Sequence, residues 1–204
     1  MTDLSNYRII PTIKINDAND SFKLAVALVK GGIPIAEVTF RTAAAADAIR
    51  EMSRYPGILV GAGSIINVDQ AKEALEAGAQ FIVSPGFNPE LVDFCLENNV
   101  TFVPGVATAS EIIAAVNKGF TFLKLFPAEQ LGGVKGVKAL SAPFPQVRFM
   151  PTGGVNAANM NDYLSLGCVR AIGGSWMVRE DWINNGQFDL IEQECRNCCQ
   201  LLAK

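Results

Sequence analysis

Short apolar runs alternate along the chain with Ala- and Leu-rich stretches, and this rhythm repeats from one end of the sequence to the other. Runs rich in β-branched and aromatic residues predict strands, and stretches with a 3.6-residue apolar period predict helices. The predicted strands are 8–15, 35–40, 59–64, 81–84, 101–106, 121–126, 147–151 and 171–173. The predicted helices between them include 20–30, 43–54, 68–77, 89–98 and 109–118.

Eight such β/α units follow one another without a linker or a change in composition. This pattern predicts an α/β fold, a single closed (β/α)8 TIM barrel over residues 1–204 with a C-terminal helix at about 187–203. An open doubly wound sheet is the alternative. The first turn lacks the G-x-G-x-x-G pattern of such sheets, and eight evenly spaced strands are many for so short an open sheet. We therefore expect the closed barrel.

Composition excludes several functional classes. The chain has 17 Lys+Arg, 20 Asp+Glu and a net charge of −3, without a basic run, so we expect no nucleic-acid partner. Charges, Gly or Pro interrupt each apolar run before it reaches the roughly 18 residues of a membrane helix, so we expect no membrane partner. Histidine is absent, which excludes His-based catalytic triads and His-ligated metals.

The cysteines predict a reducing compartment. Their number is five, which is odd, and the polar segment 1–7 is not typical of a signal peptide, so we expect a cytoplasmic protein. Cys195, Cys198 and Cys199 lie close together in the predicted C-terminal helix. No second CxxC and no His completes a tetrahedral site. We interpret them as small buried apolar side chains and expect no metal.

Charged side chains stand at the end of the second predicted strand. Glu37, Thr39 and Arg41 share one face by period-two alternation, and Val38 and Phe40 share the other. The apolar pair should face the helices, so the charged set should face the barrel interior. Because chemistry in such barrels occurs at the carboxyl ends of the strands, we favour a functional site over a structural ion pair.

A single lysine interrupts the apolar run of the sixth predicted strand. Lys124 shares a face with Phe122 and Phe126, and a lysine desolvated between aromatic rings should hold a neutral amine. Such an amine is a nucleophile suited to forming a Schiff base with a carbonyl substrate. The alternative is a lysine whose ammonium group reaches solvent at the barrel rim. Lys14 in the first strand is the one rival of similar type.

The last two predicted strands end in glycine pairs. Gly153-Gly154 precedes a predicted helix start at Asn156, and Gly173-Gly174 precedes Ser175. Loops at these positions commonly bind phosphate, because bare backbone N–H groups and a helix N-terminus point at the anion. Small residues at other strand ends, with Ser64 and Pro85 among them, would form a tight floor for a small substrate.

Taken together, six segments in order resemble the 2-keto-3-deoxy-6-phosphogluconate (KDPG) / 4-hydroxy-2-oxoglutarate aldolases, a class I family. The segments are 37–42 (EVTFRT), 61–64 (GAGS), 84–86 (SPG), 124–129 (KLFPAE), 147–154 (VRFMPTGG) and 172–176 (IGGSW). The resemblance implies an aldehyde-lyase that cleaves 2-dehydro-3-deoxy-6-phosphogluconate to pyruvate and D-glyceraldehyde 3-phosphate. It further implies a homotrimer without cofactor or metal, whose partners are a phosphorylated keto acid and pyruvate.

The resemblance also assigns roles to residues. Lys124 matches the Schiff-base lysine, Glu37 the general acid/base, and Arg41 the residue that holds the pyruvate carboxylate. The residues that match the pocket lining are Ser64, Pro85, Phe126 and Thr152, and those that match the phosphate site are Gly153, Gly154, Gly174 and Ser175. Ser64 departs from the threonine common in the family, which keeps the hydroxyl but removes a methyl group.

Two other functions remain open at this point. The same fold and lysine would serve an aldolase that acts mainly on 4-hydroxy-2-oxoglutarate, giving pyruvate and glyoxylate, or on the 6-phosphogalactonate epimer. A non-catalytic phosphometabolite-binding barrel is the alternative from another class, and it would leave the inward Glu37 and Lys124 without a purpose.

Overall fold

The computed structural model describes residues 2–202. Its strands in that range are β1 Ile9–Ile13, β2 Ile35–Thr39, β3 Leu59–Gly63, β4 Ile82–Val83, β5 Phe102–Val103, β6 Gly105–Val106, β7 Phe122–Leu125, β8 Arg148–Pro151 and β9 Ile172–Gly174. Its α-helices are α1 Ser21–Lys30, α2 Ala45–Met52, α3 Val68–Glu76, α4 Pro89–Glu97, α5 Ala109–Asn117, α6 Gly133–Ser141, α7 Met160–Leu164, α8 Glu180–Asn184 and α9 Phe188–Leu202. Two 3-10 helices span Ala18–Asp20 and Trp176–Val178.

Polar caps explain where several helices begin. The side chain of Asn67 accepts a hydrogen bond from the backbone of Gln70 at α3, and Asn88 does the same at α4. At α5, Thr108 and Glu111 form a reciprocal capping box. These caps satisfy backbone donors that the first turn leaves without partners. The starts of these three helices therefore follow directly from local sequence.

The strands form two parallel sheets, and the expectation of a closed eight-stranded (β/α)8 barrel is wrong. One sheet is a curled half-barrel in the order β5-β4-β3-β2-β1-β9, and the other has the order β6-β7-β8. The fifth predicted strand, 101–106, is divided between them. The lysine strand predicted as the sixth is consequently β7.

Pro104 accounts for the break at one edge. It stands between β5, which pairs with β4, and β6, which pairs with β7. Proline has no backbone N–H to donate, so a continuous ladder cannot pass through it. At the other edge, two isolated bridges join the β8 and β9 segments: Phe149 of β8 pairs with Val169 before β9, and Gly173 of β9 pairs with Thr152 after β8. Hydrogen bonding is therefore not continuous around the interior.

The core lies inside the curled sheet and between the strands and their helices. Every residue of β1 and β2 is buried, as expected for parallel strands that are covered on both faces. Helix α9 packs along α1, and residue 203 of the predicted 187–203 helix lies outside the described residues. None of the helices within 2–202 combines the length and apolar character that crossing a membrane requires.

Candidate active site

A cavity of about 380 Å³ opens at the carboxyl ends of the strands, and we call it the inner cavity. The structure brings all of the site residues named from the sequence into its wall. These are Glu37, Arg41, Ser64, Pro85, Lys124, Phe126, Thr152, Gly153, Gly154, Gly174 and Ser175. They come from both sheets, so the gaps in the hydrogen-bond ladder do not divide the site.

An ion pair lies at the bottom of the inner cavity. The Nζ atom of Lys124 donates a hydrogen bond of 2.9 Å to Oε1 of Glu37. The Lys124 side chain is 6% exposed and that of Glu37 is fully buried. Two desolvated charges are costly unless they are paired, so this pair meets a requirement of the fold. The same contact places an amine beside a proton acceptor.

The second oxygen of Glu37 has no protein partner. Oε2 is buried and accepts no hydrogen bond from residues 2–202. A buried carboxylate oxygen without a donor is rare in folded proteins and indicates a place for water or ligand. Gly63 on the adjacent β3 makes room for this side chain, because a Cβ atom at Gly63 would overlap the Glu37 carboxylate.

The lysine is not held between two aromatic rings as the sequence predicted. Its Nζ atom lies 5.6 Å from the centre of the Phe126 ring. The Phe122 ring instead lies beneath the guanidinium group of Arg170, at 5.1 Å. The sequence pattern could not show Glu37 as the partner, because that residue belongs to a distant part of the chain.

Arg41 is a cation without a carboxylate. Within residues 2–202 it forms no ion pair, whereas Lys124 and Lys14 each have an acidic partner. Its Nε atom donates a 3.1 Å hydrogen bond to the hydroxyl of Thr39, which itself donates to the carbonyl of Ile13 at 2.7 Å. This chain of contacts orients the guanidinium group toward the cavity and leaves its charge available to an anion.

The Gly153-Gly154 loop has backbone that only glycine adopts readily. Its φ angles are +95° and +81°. A Cβ atom at Gly154 would overlap the side chain of Glu129, whose carboxylate accepts hydrogen bonds from Tyr163 and Asn159. Burial, together with that hydrogen bond and the Glu129 charge, raises the pKa of Tyr163 above its ordinary value. Glu129, which these two hydrogen bonds hold in place, therefore packs against the loop at Gly154.

The helix start predicted at Asn156 is wrong. Helix α7 begins at Met160 and has five residues, and Asn156 instead accepts a hydrogen bond from Ala158 in a preceding turn. Helix α7 therefore does not begin directly after the Gly153-Gly154 loop. Position 174 requires glycine for a different reason, because a Cβ atom there would overlap the ring of Trp176.

Ser64 holds a strained backbone at the end of β3. Its φ of +57° is in the left-handed region, which costs a non-glycine residue of the order of 1 kcal/mol. The residue is half-buried and faces the inner cavity. Strain at such a position is typical of sites where a side chain must be presented to a ligand.

A larger, more open cavity of about 820 Å³ adjoins the inner one, and we call it the outer cavity. Lys14 lies there and forms a 2.7 Å ion pair with Glu180, and its side chain is 39% exposed. Hydrogen bonds from Lys14 and Asn16 lower the pKa of Glu180 below its ordinary value. Lys14 does not line the inner cavity, so Lys124 is the lysine that the pocket encloses.

The cysteine cluster does not gather metal ligands. Cys195 and Cys198 are fully buried, and all five cysteines are free thiols. No group of three His, Cys, Asp or Glu side chains within residues 2–202 is arranged to hold a metal ion. Burial raises the pKa of both thiols, that of Cys198 to about 12, which keeps them protonated.

Sequence reasoning missed two lining residues. Thr12 and Val155 also face the inner cavity. Thr12 is a polar residue inside the apolar strand β1, and by period-two alternation it shares a face with Lys14. The sequence therefore contained a signal that Thr12 faces inward. Nothing in the local pattern marks Val155.

Comparison with known proteins gives consistent matches. The family model for KDPG and KHG aldolases matches residues 2–194. The 2-dehydro-3-deoxy-phosphogluconate aldolase of Treponema pallidum is 43% identical over 201 residues, covering 98% of this chain and 96% of that protein. The KHG/KDPG aldolase of Escherichia coli (strain K12) is 42% identical over 193 residues, covering 94% and 91%.

A solved structure extends the similarity to three dimensions. The KDPG aldolase of Legionella pneumophila, with pyruvate captured at low pH as a covalent carbinolamine intermediate, has a TM-score of 0.92 and 39% identity to this chain. The match covers 95% of both chains.

Proposed function

Because this chain belongs to the KDPG and KHG aldolase family, we propose that it is a class I aldolase that cleaves 2-dehydro-3-deoxy-6-phosphogluconate to pyruvate and D-glyceraldehyde 3-phosphate. One observation carries the proposal: a buried Lys124–Glu37 pair at the bottom of a cavity whose rim bears two glycine loops. A Schiff-base aldolase needs an enclosed amine, a proton acceptor beside it and a site for the substrate's phosphate.

The reaction begins with a proton transfer inside the pair. The Lys124 ammonium group passes a proton to Glu37, and the neutral amine attacks the C2 ketone of the substrate. Arg41 binds the C1 carboxylate, since its guanidinium group forms no ion pair within residues 2–202 and lines the inner cavity. The carbinolamine takes a proton from Glu37 and loses water, which leaves an iminium ion on Lys124.

The iminium then accepts the electron pair of the breaking bond. Glu37, again a carboxylate, takes the proton of the C4 hydroxyl group as the C3–C4 bond breaks. Glyceraldehyde 3-phosphate leaves, and the enamine on Lys124 receives a proton at C3. Addition of water to the resulting iminium releases pyruvate and restores the amine. The unpartnered Oε2 atom of Glu37 supports this role, because it faces no competing donor within residues 2–202.

The glycine loops support a phosphorylated substrate. Gly153, Gly154 and Gly174 line the inner cavity without a side chain of their own, and Ser175 adds an exposed hydroxyl group. Backbone N–H groups of glycine-rich turns are common binding sites for phosphate oxygens. Ser64 and Pro85 also line the inner cavity and support binding of the pyruvyl group.

A second substrate follows from the relatives' names. The Escherichia coli relative is a KHG/KDPG aldolase, so 4-hydroxy-2-oxoglutarate is the second candidate, and the 6-phosphogalactonate epimer is the third. A non-catalytic phosphometabolite-binding protein would leave the buried lysine–carboxylate pair without a role.

Substrate comparison tests the proposal. Pyruvate release is measured with lactate dehydrogenase for each of the three keto acids. We expect kcat/KM to be highest for 2-dehydro-3-deoxy-6-phosphogluconate, because it alone combines the phosphate with the gluconate configuration at C4. A higher value for 4-hydroxy-2-oxoglutarate would make that the principal substrate, and no pyruvate release from any of them would refute the aldolase proposal.

Assembly and compartment complete the proposal. We infer a homotrimer, and three exposed apolar side chains, Ile66, Ile113 and Leu131, are of the kind that a subunit interface covers. Sedimentation should give about three times the chain mass of 21.8 kDa. The free cysteines support a reducing compartment, the cytoplasm.

A further inference from the structure

We propose that the hydroxyl group of Thr12 binds the C5 hydroxyl group of the substrate, which is the α-hydroxyl of the aldehyde product, and thereby selects which aldehydes the enzyme accepts. This inference rests on the proposed function. It concerns a residue that the reaction scheme above does not use.

The register of the sheet places Thr12 between the two parts of the site. In β1, Thr12 pairs with Glu37 of β2, and Pro11 pairs with Gly174 of β9. Strand β1 thus separates the strand that carries the carboxylate from a strand that carries a phosphate-site glycine. Thr12 lines both the inner and the outer cavity.

The Thr12 hydroxyl has no protein partner. The residue is 8% exposed, and within residues 2–202 its side chain makes no hydrogen bond. Two other threonines of the cavity are engaged, since Thr39 donates to Ile13 and Thr152 donates to Met150. The Oγ1 atom of Thr12 is not among the buried polar atoms without a partner within residues 2–202, so it is open to the cavity and available to a ligand hydroxyl group.

Packing alone does not account for a threonine here. The neighbouring positions of β1 are Ile10, Pro11 and Ile13, and all are buried. Valine has the same shape as threonine and would fill the space without a polar atom to satisfy. The hydroxyl therefore adds nothing to the packing of β1, whereas it gives the cavity wall a hydrogen-bonding group.

The length of the substrate determines which of its groups Thr12 meets. With C2 attached to Lys124 and the phosphate at the glycine loops, C4 and C5 lie along the wall formed by β8, β9 and β1. Glu37 takes the proton of the C4 hydroxyl, so the C5 hydroxyl remains for the neighbouring Thr12. A site that hydrogen-bonds a substrate hydroxyl discriminates against analogues that lack it.

The test compares two aldehydes in the condensation direction. Glyceraldehyde 3-phosphate carries the α-hydroxyl, and 3-phosphooxypropanal lacks it but keeps the phosphate. Each is condensed with pyruvate by wild type, Thr12→Val and Thr12→Ser. Thr121→Val serves as the matched control, because Thr121 is exposed and lies outside the inner cavity.

For Thr12→Val we expect kcat/KM to fall about tenfold with glyceraldehyde 3-phosphate and by less than twofold with 3-phosphooxypropanal, while Thr12→Ser keeps most of the wild-type preference. An equal loss with both aldehydes would show a structural role and overturn the inference, and so would no loss with either. Condensation of neither aldehyde by wild type would instead refute the proposed function, and with it this inference.

Discussion

The Nζ atom of Lys124 lies 2.9 Å from Oε1 of Glu37, in a buried contact between residues 87 positions apart in sequence. The two strands that carry them, β7 and β2, belong to different sheets. In the proposed reaction this contact places the Lys124 amine beside its proton acceptor before the substrate binds. The hydrogen bond between Lys124 and Glu37 therefore joins the two sheets and also forms the centre of the candidate site.

Replacement of Glu37 by glutamine should remove the proton acceptor while keeping the shape. We expect kcat for pyruvate release to fall about 10²- to 10⁴-fold, which is the usual contribution of a general acid/base. The measurement is steady-state kinetics with the phosphorylated keto acid.

The matched control is Glu51→Gln, which breaks an exposed ion pair with Arg54. Such surface pairs contribute little, so its kcat should match wild type. Because Glu37→Gln leaves a buried lysine without its carboxylate, thermal unfolding is measured in parallel. A folded Glu37→Gln enzyme with kcat within threefold of wild type would show that another group moves the proton.

Loss of the Arg41 guanidinium should weaken binding of the keto acid. We expect Arg41→Ala to raise KM for the keto acid about 10- to 100-fold with a smaller change in kcat, because a charge-assisted hydrogen bond to the substrate carboxylate is lost. Thr39→Val keeps the guanidinium group but removes the anchor of Arg41 Nε and the hydrogen bond to the Ile13 carbonyl, so it should raise KM less. An unchanged KM in Arg41→Ala would mean that the carboxylate binds elsewhere.

A side chain at Gly154 should affect phosphorylated substrates selectively. The φ of +81° is strained for alanine, and its Cβ atom would overlap Glu129, so the loop must shift. We expect Gly154→Ala to raise KM for 2-dehydro-3-deoxy-6-phosphogluconate and to change KM for 4-hydroxy-2-oxoglutarate little. Gly57→Ala is the matched control, since the φ of Gly57 is +87° and a Cβ atom added there would have no neighbouring atom within 4 Å. Equal effects on both substrates would argue against a phosphate site at this loop.

The order of strands and helices could be predicted from the sequence, whereas the closure of the strands into one barrel was predicted wrongly. Asn67, Asn88 and the apolar runs act locally, so the elements that they define were predictable. Closure depends on hydrogen bonds between distant segments. Pro104 interrupts one edge, and at the other edge isolated bridges beside β8 and the three-residue β9 replace a continuous ladder. Apolar periodicity carries no information about either contact.

The site followed from strand alternation and from resemblance. Alternation correctly placed Glu37 and Thr39 on an inward face, because it depends only on extended backbone. It could not show that Glu37 reaches Lys124, or that Phe122 lies beneath Arg170 at the far end of its strand. Both are long-range contacts, which local patterns do not record.

The buried thiols should make stability fall at high pH. Burial raises the pKa of Cys95 and Cys198 from 9.0 to about 12, so in the folded state they stay protonated where the unfolded chain ionises. Their contribution is complete below pH 9 and is lost as the pH rises toward 12, at up to about 1.4 kcal/mol per pH unit for each thiol.

Urea unfolding at several pH values from 8 to 11 measures this slope. Replacement of both Cys95 and Cys198 by alanine should reduce the slope, although the cavities lower stability at every pH. An unchanged slope in the double variant would assign the loss to other groups.

Borohydride trapping with pyruvate tests the central claim most directly. The enzyme is incubated with pyruvate, reduced and examined by intact mass and peptide mapping, alongside Lys124→Arg and Lys14→Arg. Arginine keeps the positive charge opposite Glu37 but cannot form the Schiff base. We expect one reduced pyruvyl group on the peptide that contains Lys124, in wild type and Lys14→Arg but not in Lys124→Arg. An adduct on Lys14, or no adduct in wild type, would contradict the assignment of Lys124 as the Schiff-base residue.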